Sequence, residues 1–345
     1  MSLDPPLGTV MEAEMAEQAA TLEKLIDHRA ELQAAVTACF RSPLAGTVIV
    51  ARGSSDHAAT CGRYLLEVAT RRPVASASPS VHLLYRAEVD FSGYVVIAVS
   101  QSGRTPEIAS VLERALSAGA RTIAITNDAD SPLAAVADAV ICLGAGKERA
   151  VPATKTVTAE IAAFAMIAQA IGDVGIADQD WDGLPDAVGT VVAEPEPCRE
   201  LAVWASGVDH RFVTVARGYL YGAAAESALK VEETTSILST AFSAADLRHG
   251  PIAIASTGVP ILAFAHPGPA AADVLDLVGD LRRREASVRV VGPVAGSSAS
   301  WSAKVPEALA PVLAVVRGQQ LALELARRLG RDPDSPEGLT KVTIT

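Results

Sequence analysis

A short stretch of this chain occurs twice. Val50-Ala-Arg-Gly53 returns as Val215-Ala-Arg-Gly218, at an offset of 165 residues, and at that offset Glu67 matches Glu232 and Thr70 matches Thr235. Four identical residues carry little weight in a chain rich in alanine and valine. Kept in register through the helical pattern that follows, they indicate an internal duplication. Each copy has the same plan of an apolar run, a glycine turn and a helix-length periodic segment. In the first half the runs Thr47–Ala51, Tyr94–Val99, Arg121–Ile125 and Ala139–Leu143 read as strands, and the pattern from Pro106 to Ala118 as a helix. In the second half Arg211–Ala216, Val259–Phe264 and Ser287–Val291 read the same way. Continuous Val/Ile runs suit parallel strands covered on both faces, and their alternation with helices implies βαβ units. The expected fold class is α/β, with two lobes, each a parallel sheet flanked by helices. The expected organisation is a helical segment over 1–42 (with one leading helix at 10–40), a first lobe at 43–172, a connector at 173–200 carrying Pro185, Pro195 and Pro197, and a second lobe at 201–345.

Composition narrows the partners. Of 345 residues half are hydrophobic, and 29 Lys+Arg against 40 Asp+Glu leave a net charge of −11. An acidic chain without a basic run is a poor match for nucleic acid or an anionic membrane surface, so neither is expected as a partner. No apolar window is long enough to span a bilayer and no signal-like segment opens the chain. Cys39, Cys61, Cys142 and Cys198 form no CxxC pair and read as buried thiols in a reducing, cytoplasmic compartment.

Two turns are rich in hydroxyls. Arg52-Gly-Ser-Ser-Asp56 follows the first strand, and Ser100-Gln-Ser-Gly-Arg-Thr105 follows the strand at 94–99. Thr105 suits an N-cap and Pro106 the first turn of the helix beyond it. Helix N-termini at the carboxyl ends of parallel strands favour bound phosphate, with Ser54, Ser55, Ser100, Ser102 and Thr105 as further donors. Ordinary capping serines would read the same way from sequence. There is no GxxxxGK[ST], no complete GxGxxG, no Gly-x-Ser-x-Gly, and no HExxH or His/Cys cluster, so a phosphorylated metabolite fits better than a nucleotide, and no metal is expected.

Glu226, Lys230 and Glu233 fall on one face of a helix in the second half. A solvated ion-paired stripe and a functional cluster have the same spacing. The helix follows a strand and a glycine turn, which favours the functional reading. Downstream, Ser243 and Asp246 resemble a capping box, and His249 precedes the helix-ending Gly250-Pro251. His249 suits either a helix-dipole partner or chemistry.

Taken in order, these segments resemble the sugar-isomerase (SIS) family, in particular the isomerase part of glutamine–fructose-6-phosphate aminotransferase and stand-alone glucosamine-6-phosphate deaminases. Met11–Gln18 is similar to the family's leading helix, Gly53-Ser54-Ser55 to its first turn, and Ser100–Gly103 with Thr105 to its phosphate loop. Glu148–Lys155 is similar to a segment at its active cleft, Glu226–Pro251 to its catalytic stretch, and Asp332–Lys341 to its terminal loop. The resemblance implies that Ser54, Ser55, Ser100, Gln101, Ser102 and Thr105 hold a hexose or hexosamine 6-phosphate. It implies that Glu233 moves a proton between C1 and C2, that Lys230, beside Glu226, steadies negative charge on oxygen, and that Lys341 forms an imine with the open-chain ketose. His249 would assist ring opening from the neighbouring subunit of a homodimer. No cofactor is required.

The first cysteine is Cys39, so the resemblance implies an isomerase pair working without a glutaminase domain. The expected reaction converts glucosamine 6-phosphate to fructose 6-phosphate and ammonia. A fructosamine-6-phosphate deglycase, another ketose/aldose phosphosugar isomerase and a non-catalytic sugar-phosphate sensor remain open at this point.

Overall fold

The computed structural model describes residues 7–207 and 211–341, the side chains of 256 and 257 excepted. The first six residues of the expected helical segment, and 208–210 and 342–345 of the expected second lobe, lie outside the described residues. The chain opens with α1 (Thr9–Ala16), α2 (Gln18–Asp27) and α3 (Arg29–Thr37). The single leading helix expected over 10–40 is therefore three. At the first break the Glu17 N–H turns to the Glu14 carbonyl, and at the second His28 leaves helical geometry at φ −94°, ψ 3°.

The next elements are β1 (Gly46–Val50), α4 (Ser54–Thr70), β2 (Val74–Ser76), α5 (Pro79–Leu83), β3 (Tyr94–Val99) and α6 (Pro106–Ser117). They continue as β4 (Arg121–Thr126), α7 (Pro132–Ala135), β5 (Ala139–Cys142) and α8 (Lys155–Ile171). Three connecting helices follow: α9 (Asp178–Asp182), α10 (Leu184–Ala193) and α11 (Glu196–Ala205). Then come β6 (Arg211–Ala216), α12 (Tyr221–Thr235), β7 (Leu238–Ser243), α13 (Ala244–Arg248), β8 (Ile261–Phe264), α14 (Ala271–Arg283), β9 (Val288–Val291) and α15 (Ala310–Arg328). Pro260 explains why β8 starts later than its apolar run: it has no N–H to give the ladder, and its carbonyl accepts the Val213 N–H at 3.0 Å.

The chain forms two compact units. One comprises Ala20–Lys147 and Thr156–Ile176 and holds a parallel sheet in the order β2-β1-β3-β4-β5. Its core joins Val96, Ala98 and Ala124 of the sheet to Ile108, Val111, Leu112 and Ala115 of α6. The other unit comprises Glu148–Lys155, Ala177–Lys341 and the N-terminal residues through Ala19. Its parallel sheet runs β7-β6-β8-β9, with α14 packed on one side through Val274, Leu277, Val278 and Leu281. Helix α15 is buried along almost its whole length and lies against α12. A Cβ on Gly318 would fall 2.0 Å from Ser227 Oγ, so the close approach of these two helices depends on that glycine. Two α/β lobes with parallel sheets are thus present, as the internal repeat implies.

The repeated residues have a common task. Helices α4 and α12 both end in a non-glycine residue in left-handed conformation, Arg71 and Ser236, each at φ 54°. Each of these donates its N–H to the repeated glutamate's carbonyl, Glu67 O or Glu232 O, at 2.9 Å. The repeated threonine braces the turn: Thr70 donates to Leu66 O and accepts from Arg72 N–H, and Thr235 donates to Val231 O and accepts from Ile237 N–H. A left-handed residue without glycine costs on the order of 1 kcal/mol, which these bonds offset.

Among the described residues no helix is long and apolar enough to cross a membrane. None of the four cysteines forms a disulfide, and burial pushes the Cys198 thiol up to about 12, which suppresses its thiolate.

Burial sets a pH dependence. His266 is 2% exposed, its ring stacks on Trp301, and its Nδ1 accepts the Trp301 Nε1–H at 3.1 Å. Desolvation holds it below the ordinary histidine value of 6.5, against a smaller opposing hydrogen bond at Val305. In the other unit burial, then the nearby Arg114, does the same to His82. For both, the unfolded chain binds the proton more tightly. Their contribution to stability is therefore complete above pH 6.5 and is lost as pH falls below it. Melting temperature is expected to drop as the buffer is acidified below that point. His266→Asn, which keeps an acceptor for Trp301, should give a shallower drop by calorimetry, and an unchanged slope would exclude His266 as a source.

Candidate active site

In the first sheet the strand order reverses between β1 and β3, and the crevice at the carboxyl ends of two such strands is where α/β sheets bind ligands. Both hydroxyl-rich turns lie there. After β1, Gly53 takes φ 57°, ψ −135°, and α4 starts at Ser54. The Ser55 hydroxyl is buried and donates to Glu160 of α8 at 2.9 Å. The sequence assigned Glu160 no place in the site, although it is the one charged residue in the stretch Thr156–Ile171.

After β3, Ser100 N–H closes the ladder to Ile125 O and Gly103 N–H returns to Ser100 O at 3.0 Å. Gly103 is required twice, by φ 61° and because a Cβ would lie 2.1 Å from Ser131 Oγ. The Gln101 carbonyl takes the Asn127 N–H, and Ser102 Oγ accepts the Arg104 N–H at 3.2 Å. Thr105 is the N-cap residue of α6 but its side chain makes no capping bond; the hydroxyl lies 3.3 Å from Ser100 Oγ instead. Its expected cap is therefore replaced by a hydroxyl pair. Arg52 joins the two turns, with its guanidinium 2.9 Å from Glu107 in the first turn of α6. The second sheet repeats this brace between β6 and β8: Arg217 lies 3.3 Å from Asp273 in the first turn of α14.

Helix α12 carries the charged cluster. Lys230 Nζ lies 3.3 Å from Glu226 and in short contact with Glu233. The Lys230 and Glu226 side chains are each 1% exposed and Glu233 is 22% exposed, so this is not a solvated stripe. Burial by itself pushes the Lys230 ammonium toward neutrality. The charges of Glu226 and then Glu233, with their hydrogen bonds, outweigh that and hold it above the usual lysine range. The balance favours a charged ammonium, buried beside one carboxylate that is partly exposed. Glu232, one residue away, is exposed.

Three other expected positions lie in the same unit. Lys341 Nζ is 2.7 Å from Glu148 Oε2, whose side chain has no exposure. His249 follows α13 as its C-cap residue and is exposed. The capping box expected at Ser243 and Asp246 is not formed: Ser243 makes no side-chain cap, and its hydroxyl accepts from Arg217 at 2.9 Å.

The SIS domain model matches residues 47–170 and 208–313, and the chain belongs to that family. Glutamine–fructose-6-phosphate aminotransferase [isomerizing] of Methanothermobacter thermautotrophicus is 32% identical over 304 residues, which are 86% of this chain and 51% of that protein. The chain thus spans about half the length of the curated relatives it matches. Among solved structures, a candidate phosphosugar isomerase from Silicibacter pomeroyi DSS-3 superposes with a TM-score of 0.86 at 32% identity, covering 94% of this chain and all of that one. Glucosamine-6-phosphate deaminase from Thermotoga maritima shares the fold, with a TM-score of 0.71 at 20% identity, over 94% of this chain and 99% of its own.

The burial of Lys230 has a testable cost. Lys230→Met leaves Glu226 as a buried carboxylate without its cation and is expected to destabilise the protein by roughly 3–5 kcal/mol. Adding Glu226→Gln should recover part of that loss in urea unfolding; two additive losses would mean that the two groups do not interact.

Proposed function

We propose that the protein is a phosphosugar isomerase that deaminates an amino-hexose 6-phosphate, converting glucosamine 6-phosphate and water to fructose 6-phosphate and ammonia. The observation that carries this reading is the α12 cluster: a buried lysine kept cationic next to a glutamate that solvent can reach. Moving a proton between adjacent carbons of an open-chain sugar needs those two groups together. A carboxylate must take the proton from one carbon and return it to the next, and a fixed cation must hold the negative charge that develops on oxygen. Glu233 takes the first role and Lys230 the second, with Glu226 keeping Lys230 charged. Removal of the C2 proton of the open-chain aldosamine gives an enolamine, and return of the proton to C1 gives the C2 imine. Water then hydrolyses that imine and releases ammonia.

The phosphate is assigned to the hydroxyl-rich turns, through Ser54, Ser55, Ser100, Gln101, Ser102 and Thr105. With the Ser55 hydroxyl proton committed to Glu160, the donors there fall chiefly to Ser100, Ser102, Thr105 and the backbone. Lys341 supplies the amine that holds the ketose as an imine. His249, exposed at the end of α13, assists ring opening in the neighbouring subunit of a homodimer. The relatives named glutamine–fructose-6-phosphate aminotransferase [isomerizing], at 32 and 31% identity, are what supports a hexosamine phosphate.

The direct test is ammonia and fructose 6-phosphate release from glucosamine 6-phosphate. The wild type should turn over, and Glu233→Gln should lose about 10²–10⁴-fold in kcat with substrate binding retained. Full turnover by Glu233→Gln would remove Glu233 from the mechanism. Mixed dimers of His249→Ala and Glu233→Gln chains should regain activity if His249 works across the interface. Verified mixed dimers that stay inactive would place both groups in one chain's site.

A further inference from the structure

Glu148 and Lys341 are held toward each other by a scaffold that neither residue belongs to. Glu148 starts the segment running to Lys155, and its Oε1 accepts the Thr154 N–H at 3.0 Å and approaches the Thr154 hydroxyl at 3.4 Å. Its Oε2 faces Lys341 Nζ at 2.7 Å. A carboxylate with no solvent exposure is costly unless every oxygen is answered, and here one is answered by the loop and the other by the lysine.

Both segments are fastened to α1. Near the helix's C-terminal end Glu14 accepts the N–H groups of Arg149 and Ala150, at 2.5 and 3.2 Å, which fixes the loop. At its N-terminus Asp334 accepts the Val10 and Met11 N–H groups, at 2.8 and 2.7 Å, and Asp332 the Gly8 N–H at 3.2 Å, which fixes the tail. Met11, Met15, Ala150 and Leu323 pack together beside these bonds. Two segments far apart in sequence are thus set against one short helix so that one buried oxygen meets one amine.

We infer that Glu148 is the proton acceptor that makes Lys341 nucleophilic, an inference that rests on the reading in which Lys341 forms an imine with the ketose phosphate. An ammonium has no lone pair to attack with. Glu148 Oε2 takes one proton, leaving a neutral amine and a neutral acid, a pair that a desolvated site tolerates. The amine adds to the carbonyl carbon, and the resulting hydroxyl leaves as water with the proton that Glu148 returns. The nitrogen gives up two protons, the departing oxygen carries both, and a protonated imine remains; nothing is oxidised or reduced.

The experiment uses the full chain with fructose 6-phosphate and cyanoborohydride, which reduces the imine to a stable adduct located by peptide mass. The wild type should be labelled at Lys341. Glu148→Gln keeps the shape and an acceptor for Thr154 but cannot take a proton, and its labelling rate should fall about a hundredfold while its affinity for fructose 6-phosphate by calorimetry is retained. Glu148→Ala should be equally slow and should regain rate with added formate, a response that a purely architectural carboxylate would not give. Labelling of Glu148→Gln at the wild-type rate overturns the assignment, as does a slow Glu148→Ala that formate leaves unchanged. A wild type that turns over glucosamine 6-phosphate without an adduct at Lys341 overturns the proton transfer and leaves the isomerase reading intact. A wild type that neither binds fructose 6-phosphate nor turns over overturns both.

Discussion

The second unit is organised around one buried ammonium. Lys230 sits without solvent on α12 with Glu226 buried beside it, and α15 lies close against the same helix. That closeness accounts for Gly318 opposite Ser227, and for the Thr234 hydroxyl reaching the Ala322 carbonyl of α15 at 3.3 Å. The same helix extends the support outward, since Gln319 donates to Thr154 O at the end of the loop that begins with Glu148. Removing the charge would relieve the desolvation cost but would leave α12 without the group that gives Glu233 a fixed cationic neighbour.

The central strands were legible in the sequence, as were the edge strands β5 and β9; the edge strands β2 and β7 were not. Tyr94–Val99 and Arg211–Ala216 are buried over their last five residues and are mostly apolar there, which is why they can be read directly. β2 and β7 each lie at one edge of their sheet. β2 has three residues, two of them exposed, and β7, Leu238-Ser-Thr-Ala-Phe-Ser243, mixes polar and apolar positions on a partly wetted edge. Neither carries the signal that marks a buried strand.

The candidate site divides along a similar line. Spacing on a 3.6-residue helix places Glu226, Lys230 and Glu233 on one face, and a solvated stripe has the same spacing; only the burial of Glu226 and Lys230 separates the two. Hydroxyl-rich turns after strands were legible as turns, but where each hydroxyl proton goes depends on residues distant in sequence. Ser55 finds Glu160, 105 positions away, and Thr105 turns back to Ser100 rather than capping its own helix. The Glu148–Lys341 pair spans 193 positions and is aligned by bonds to α1 that no local pattern announces.

The duplicated helix exit has an evolutionary consequence. In both copies the glycine before the helix has nearly the same positive φ, 57° at Gly53 and 61° at Gly218, and the threonine-braced left-handed residue ends the helix in the same way. The glycine conformation and the helix exit match, while the residues after the glycine differ: Ser54-Ser55-Asp56 in one copy, Tyr219-Leu220-Tyr221 in the other. A module with fixed ends and a free interior allows its copies to specialise without refolding. One copy carries small hydroxyls at its helix start, while the other has bulky residues there and carries its buried charges further along the helix.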